Sequence, residues 1–258
     1  MKNNLTDKDI EILNEFGKKC GISYLEINDK EKIFNIKRLY ISNDEIEYIP
    51  TEVFKLTNLE KLEISCKNLI ELPKEIGNLT KLKELSISSA YLTELPKEVG
   101  NLTNLKELSI NSDDLTELPK EIGNIINLER LFISCDNLET LPSEIGKLIN
   151  LETLYIWSRV DGLIELPKNI GNLTNLKMLD IRCQNLRRLS KEIFNLINLE
   201  VLFISCDNLI ELPKGIEKLI NLKSLTIINR NETWNIKKLP IDGIGKLTKL
   251  KRFYYDNY

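Results

Sequence analysis

The chain has 258 residues with 36 basic and 39 acidic side chains, and this balance does not predict nucleic acid or an anionic membrane as a partner. It contains no histidine, which excludes Ser-His-Asp and Cys-His nucleophilic sites together with histidine-based zinc sites. No apolar run is long enough to span a bilayer, and the first residues lack the apolar stretch of a secretory signal.

The first 35 residues are predicted to form a helical and hairpin cap. Thr6 and Asp9 have the spacing of a capping box, which predicts a helix that begins there. Gly21 is the predicted stop signal of that helix. The alternation of apolar and polar residues over 22–27 then indicates a strand or hairpin. A cap at 1–35 would cover the first unit of the array that follows, whose core side chains would otherwise be exposed.

From residue 36 onwards, one phrase of 23 residues is repeated. It reads Leu-x-x-Leu-x-Ile-x-x-x-x-Leu-x-x-Leu-Pro-x-x-Ile-Gly-x-Leu, as in residues 128–148. The spacing rises to 25 residues after Leu151 and to 28 residues after Leu222. About nine full units and a truncated tenth begin at Ile36, Leu59, Leu82, Leu105, Leu128, Leu151, Leu176, Leu199, Leu222 and Leu250.

Each unit predicts one short strand followed by one short helical turn. The Leu-x-Ile segment alternates between the two faces of a strand, so one side of the sheet meets a core and the other stays open. The proline stands at the first position of the helical turn and the glycine just past its end. A unit of 23 residues cannot bury its apolar side chains alone, so neighbouring units must stack into one core with a parallel sheet.

The phrase resembles the leucine-rich repeat in its bacterial and Ras-binding intracellular class. The resemblance implies an α/β solenoid over 36–258: a horseshoe with a parallel β-sheet on the concave face and short helical or 3-10 turns on the convex face. One departure is the ninth position, where the asparagine usual in the family is replaced. Either the asparagines one place later restore the loop hydrogen bonds between units or they do not. These asparagines are Asn68, Asn137, Asn185 and Asn208.

A column of cysteines occupies the eighth position of four units. Its members are Cys66, Cys135, Cys183 and Cys206. Thiols in a column could bind a metal or form a disulfide, but serine takes the same position in other units, which favours a small, partly buried side chain with a structural role. Extracellular members of the family usually carry a cysteine-rich cap, whereas this cap has only Cys20. The resemblance therefore implies a reducing, cytoplasmic compartment, and the alternative is a secreted or cell-surface protein whose leader has been removed.

The strand face that points away from the core changes character along the array. Small polar side chains fill it in the first units, and aromatic rings follow from the Leu128 unit to the Leu199 unit. The two longer units carry their extra residues on the rim of this face and contain both tryptophans. Rings and arginines are what the centres of protein interfaces prefer. The residues predicted to contact a partner are Phe132, Tyr155, Trp157, Arg159, Asp180, Arg182, Phe203 and Trp234.

The sequence thus predicts a non-enzymatic module that binds a protein or peptide on the concave face, without a cofactor or metal. Glycine-rich phosphate loops are absent, because the glycines belong to the repeated turns. One alternative is that the rings merely cover one another, with Trp234 folded into its own loop. Another is an exported adhesin or host-directed effector that uses the same surface. A third is self-association through the C-terminal edge, where Phe253 and Tyr255 replace the inward-pointing Leu and Ile.

Overall fold

The computed structural model describes residues 4–159, 162–230 and 239–256, in which ten strands form one sheet. Every strand pairs in parallel with the next strand along the chain. The helices are α1 (Asp7–Cys20), α2 (Lys30–Phe34) and α3 (Ile241–Ile244). The strands are β1 (Arg38–Ser42), β2 (Lys61–Ser65), β3 (Glu84–Ser89), β4 (Glu107–Ser112), β5 (Arg130–Ser134), β6 (Thr153–Ser158), β7 (Met178–Cys183), β8 (Val201–Ser205), β9 (Ser224–Ile228) and β10 (Arg252–Asp256).

The register of the sheet places equivalent positions of successive units side by side. Leu39 pairs with Leu62 and Ile41 pairs with Ile64. In β1, buried and exposed residues alternate, with the leucine and isoleucine side chains in the core. The predicted solenoid with a parallel sheet on its concave face is confirmed, because stacked units bury their apolar side chains against each other.

Short 3-10 turns connect the strands on the convex side. They span Thr51–Lys55, Lys74–Asn78, Lys97–Asn101, Lys120–Asn124, Ser143–Lys147, Lys168–Asn172, Lys191–Asn195 and Ile216–Lys218. The prediction that the repeated glycine follows the turn is wrong, since Gly123 lies inside its turn and has no positive φ. A Cβ atom on Gly123 would lie 2.5 Å from the carbonyl oxygen of Glu144 in the next turn. The glycine is required because successive turns approach each other so closely.

The N-terminal cap begins with the predicted helix. The amide of Asp9 donates to Oγ1 of Thr6 at 3.1 Å, and the amide of Thr6 donates to Oδ2 of Asp9 at 2.8 Å. Gly21 ends α1 in the left-handed conformation, with a φ of 66°. The capping box and the stop signal are therefore both confirmed.

The strand or hairpin predicted over 22–27 is wrong. Ser23–Leu25 forms a 3-10 turn, and α2 follows it. The amide of Ile22 donates to the carbonyl oxygen of Gly17 at 2.7 Å, which turns the chain back onto α1 and buries Leu25 completely. The alternation over six residues was misleading, because a 3-10 turn places side chains three residues apart on one face, and Ile22 and Leu25 are the two that are buried.

One partly buried ion pair joins the cap to the array. Nζ of Lys55, in the first 3-10 turn of the array, donates to Oδ1 of Asp9 at 2.7 Å, and Asp9 is buried. Burial alone would raise the pKa of Asp9, but the hydrogen bonds from Lys55 and Thr6 outweigh it and lower that pKa. The division into a cap at 1–35 and a repeat domain at 36–258 stays a prediction.

Asparagines form a ladder along the edge where the strands begin. Each stands directly before the first leucine of its unit, and its Nδ2 donates to a backbone carbonyl oxygen of the preceding unit. For Asn150 the acceptor is Ile126, at 2.8 Å. The other members of the ladder are Asn104, Asn127, Asn175, Asn198 and Asn221. These side chains satisfy carbonyl groups that the strands and turns leave unpaired.

At the opposite edge, aspartates take over part of the role of the usual ninth-position asparagine. Oδ1 of Asp44 accepts from the amide of Lys67 at 3.1 Å, and Oδ1 of Asp136 accepts from the amide of Arg159 at 3.2 Å. Of the asparagines one place later, Asn208 donates to the carbonyl oxygen of Gln184 at 3.1 Å. These side chains thus add to the backbone hydrogen bonds that tie the loops of neighbouring units together.

The eighth-position column holds small, buried side chains, as predicted. All four of its cysteines are fully buried, and Oγ of Ser112 in the same column donates to the carbonyl oxygen of Leu92 at 2.7 Å. Burial raises the pKa of the Cys135 and Cys206 thiols to about 12. Within the described ranges, no group of three His, Cys, Asp or Glu side chains is placed to hold a metal ion.

The last described strand, β10, differs from the others in its inward-facing side chains. Tyr255 is half-buried and packs against the core, whereas Phe253 is 43% exposed. Only one of the two rings therefore shields this edge.

Candidate functional site

Four adjacent strands, β5 to β8, carry the predicted contact residues on the open face of the sheet. Phe132 pairs with Tyr155, Tyr155 with Asp180, and Asp180 with Phe203, so these four positions form one row across the strands. In the next row towards the strand ends, Trp157 pairs with Arg182. Arg159 follows directly after β6. We call this set of seven residues the aromatic patch. Trp234 lies outside the described residues.

The exposure of the patch residues separates three kinds of side chain. The four rings are half-buried, the two arginines are exposed, and Asp180 is buried, with 3% of its surface exposed. Tyr40, at an equivalent position on the same face, is 45% exposed. The rings of the patch therefore lie outside the core but are partly covered by their neighbours.

Arg182 lies at the centre of the patch. Its Nε and Nη2 each donate to a carboxylate oxygen of Asp180 at 2.9 Å. The guanidinium carbon lies 4.4 Å from the ring centroid of Phe203 and 5.6 Å from that of Tyr155. These hydrogen bonds to Asp180 raise the pKa of Arg182, while burial raises the pKa of Tyr155. A fixed, charged guanidinium thus bridges the rings of two non-adjacent strands.

Arg159 makes a similar but more exposed arrangement at the rim. Its guanidinium carbon lies 4.6 Å from the ring centroid of Trp157. Its Nε lies 3.6 Å from Oδ1 of Asp136, whose side chain is 15% exposed while that of Arg159 is 61% exposed. The same carboxylate oxygen accepts the backbone N–H of Arg159, so Asp136 positions both the loop and the side chain.

A family model for the leucine-rich repeat region matches residues 16–116 and 155–257. The chain belongs to the leucine-rich repeat family. No curated protein sequence matches it. Among solved structures, a leucine-rich repeat protein of Leptospira interrogans is 37% identical with a TM-score of 0.72, and the match covers 86% of this chain and 55% of that one. The chain thus spans about half the length of the Leptospira protein.

Two further solved structures share the leucine-rich repeat fold at lower identity. The leucine-rich repeat domain of the type III effector XopL is 24% identical with a TM-score of 0.72, over 96% of this chain and 90% of that one. The Arabidopsis receptor kinase HAESA, solved with the peptide hormone IDA and the co-receptor SERK1, is 21% identical. Its TM-score is 0.69, over 96% of this chain and 45% of that one.

Asp136, which positions Arg159 of the aromatic patch, was not among the residues predicted from the sequence. The signal was present, because Asp136 stands at the ninth position of its unit and Arg159 at the ninth position of the next. In-register stacking places such residues side by side. The burial of Asp180 had no comparable signal, since most residues at its strand position remain accessible.

The aromatic patch offers apolar surface and hydrogen-bond donors. Half-exposed rings can be covered by apolar side chains of a partner, and guanidinium groups can donate to oxygen atoms. The leucine-rich repeat fold is a protein-interaction scaffold that is generally non-catalytic. In the ranges that the structure describes, no helix has the length and apolar character needed to cross a membrane.

Proposed function

We propose that this leucine-rich repeat chain is a non-enzymatic module that binds a protein or peptide on its concave face, at the aromatic patch. The observation that carries the proposal is the gathering of four half-buried rings and two ring-stacked arginines on adjacent strands. On β3 and β4 the same face bears small polar side chains, such as Ser86 and Ser109, which pair in register. Cofactors and metals have no part in the proposed activity.

The state of the patch before binding supports this proposal. Arg182 is held by two hydrogen bonds and two rings, and β5 to β8 are fixed by the neighbouring units on both sides. Side chains that are ordered in advance lose little conformational entropy when a partner covers them. Rings and arginines in such a setting are the residues that dominate binding energy in protein interfaces.

The location and assembly of the protein are further parts of the proposal. We propose a cytoplasmic protein, because the repeated cysteines fill core positions and the cap has a single cysteine. Self-association through β10 stays a subsidiary proposal, supported by the exposed ring of Phe253.

Affinity purification with mass spectrometry tests the proposed function. We expect the Trp157→Ala, Phe203→Ala double variant to capture at least about tenfold less partner than the wild type, because two of the rings proposed to contact the partner are missing. A matched double variant, Tyr40→Ala with Tyr48→Ala, removes rings that are 45% and 56% exposed outside the patch and should capture normally. Both variants should unfold within a few degrees of the wild type. Normal capture by the patch variant together with a large loss of thermal stability would instead show that the rings serve self-packing.

A further inference from the structure

Both guanidinium groups of the aromatic patch are already neutralised within the chain. Arg182 forms its two hydrogen bonds with Asp180, and Arg159 lies against Asp136. Two positive and two negative charges thus cancel, one pair at the centre of the patch and the other at its rim.

The rim beside the patch is balanced in the same way. Nζ of Lys177 lies 2.7 Å from Oε1 of Glu152, and Nζ of Lys223 lies 2.7 Å from Oε2 of Glu200. Met178 and Val201, at the starts of β7 and β8, add an apolar border with no charge. A partner that approaches this side of the face therefore meets rings and paired charges rather than a positive or negative field.

Arg182 nevertheless keeps hydrogen-bonding capacity. A guanidinium has five N–H donors, and the pair with Asp180 uses only the Nε donor and one Nη2 donor. Stacking on Phe203 fixes the plane in which the other donors lie. A carbonyl oxygen can accept from them without changing the charge of the site. A carboxylate would place a second negative charge near the buried Asp180, which raises the cost of burial.

We infer, resting on the proposed function, that the aromatic patch recognises an uncharged peptide segment of a partner protein. Aromatic or aliphatic side chains of the segment cover the rings, and its main-chain carbonyl oxygens accept hydrogen bonds from Arg182. The affinity then comes from apolar burial and from neutral acceptors, so it depends little on ionic strength.

Selection of a random 12-residue peptide library displayed on phage tests this inference, with the full chain as bait and the Trp157→Ala, Phe203→Ala variant as the matched control. We expect peptides enriched on the wild type alone to be uncharged and rich in apolar residues. Their Kd should change less than about twofold between roughly 50 and 500 mM NaCl, where long-range charge interactions are screened. Arg182→Lys should weaken their binding at least about fivefold, because lysine keeps the positive charge but has no planar guanidinium group to stack on the rings.

The outcomes separate the inference from the proposed function. The inference would be overturned if the enriched peptides are acidic or basic and their Kd rises more than about tenfold over the same salt range. The proposed binding face would not be affected by that result. Peptides that bind the Arg182→Lys variant with the same Kd as the wild type would overturn the role of the guanidinium. Failure to enrich any peptide on the wild type over the control variant would overturn both.

Discussion

At the residue scale, Asp180 is the most constrained member of the aromatic patch. A carboxylate that is 3% exposed must be compensated, and Arg182 supplies two hydrogen bonds and the opposite charge. The arginine itself is 44% exposed at its side chain, so the carboxylate is covered while the guanidinium stays accessible to solvent. The pair thereby links the stability of β7 to the proposed binding surface.

Arg182→Ala is predicted to lower the free energy of unfolding by about 2–4 kcal/mol, because it leaves the buried carboxylate without its partner. Adding Asp180→Ala should restore at least half of this loss, since the uncompensated charge is then removed. Arg159→Ala is the matched control, and it should cost less than about 1 kcal/mol because that pair is more exposed. Urea denaturation of the four proteins measures these differences. A double variant no more stable than Arg182→Ala would refute the role given to the pair.

The buried thiols predict a dependence of stability on pH. The folded pKa of Cys135 is raised to about 12 by burial, whereas an unfolded cysteine titrates near 8.5. A raised folded pKa gives stability that is complete below the unfolded pKa and is lost as the pH rises above it. The wild type should therefore lose about 1–3 kcal/mol relative to Cys135→Ser between pH 8 and pH 10.5.

Urea unfolding of both proteins at each pH isolates this thiol, because the lysines and tyrosines are common to the two chains. Serine occupies the same position in neighbouring units, where Ser112 donates to a carbonyl oxygen, so the variant keeps a residue that the column accepts. If the free energies of unfolding of the wild type and Cys135→Ser change with pH in parallel, the assignment of Cys135 as a buried, protonated thiol is contradicted.

At the element scale, the close approach of successive 3-10 turns sets the shape of the convex side. Gly123→Ala places a Cβ atom 2.5 Å from the carbonyl oxygen of Glu144, so the two turns must separate. We expect a loss of about 1–3 kcal/mol in the free energy of unfolding, as for other overpacked sites. Gly245→Ala is the control, since its nearest contact would be an ordinary 3.5 Å. Equal stability of the two variants in urea would contradict tight turn packing.

The regular elements were predictable because each of them is repeated. One strand and one turn per unit follow from the period, and every unit supplies an independent copy of the pattern. The cap has no repeat to support it, and its segment 22–27 was predicted as a strand or hairpin but contains the 3-10 turn Ser23–Leu25. The asparagine ladder was missed because each acceptor, such as the Ile126 carbonyl that pairs with Asn150, belongs to another unit.

At the scale of the whole molecule, the array is a sheet with one open face that is uneven in chemistry. β3 and β4 present small polar groups, whereas β5 to β8 present rings and paired charges. Register made this placement predictable from the sequence, since residues at equivalent positions must lie side by side. The pairing of Arg182 with Asp180 was not predictable, because it depends on rotamers and on the burial of Asp180.

Photo-crosslinking tests the central claim, that the aromatic patch contacts a protein partner, most directly. Benzoylphenylalanine at position 203 replaces a half-buried ring of the patch, and the same group at position 48 replaces Tyr48, which is 56% exposed outside the strands. The account predicts that the captured partner is crosslinked from position 203 and not from position 48. Crosslinking from position 48 alone would contradict it and place the binding surface elsewhere on the horseshoe.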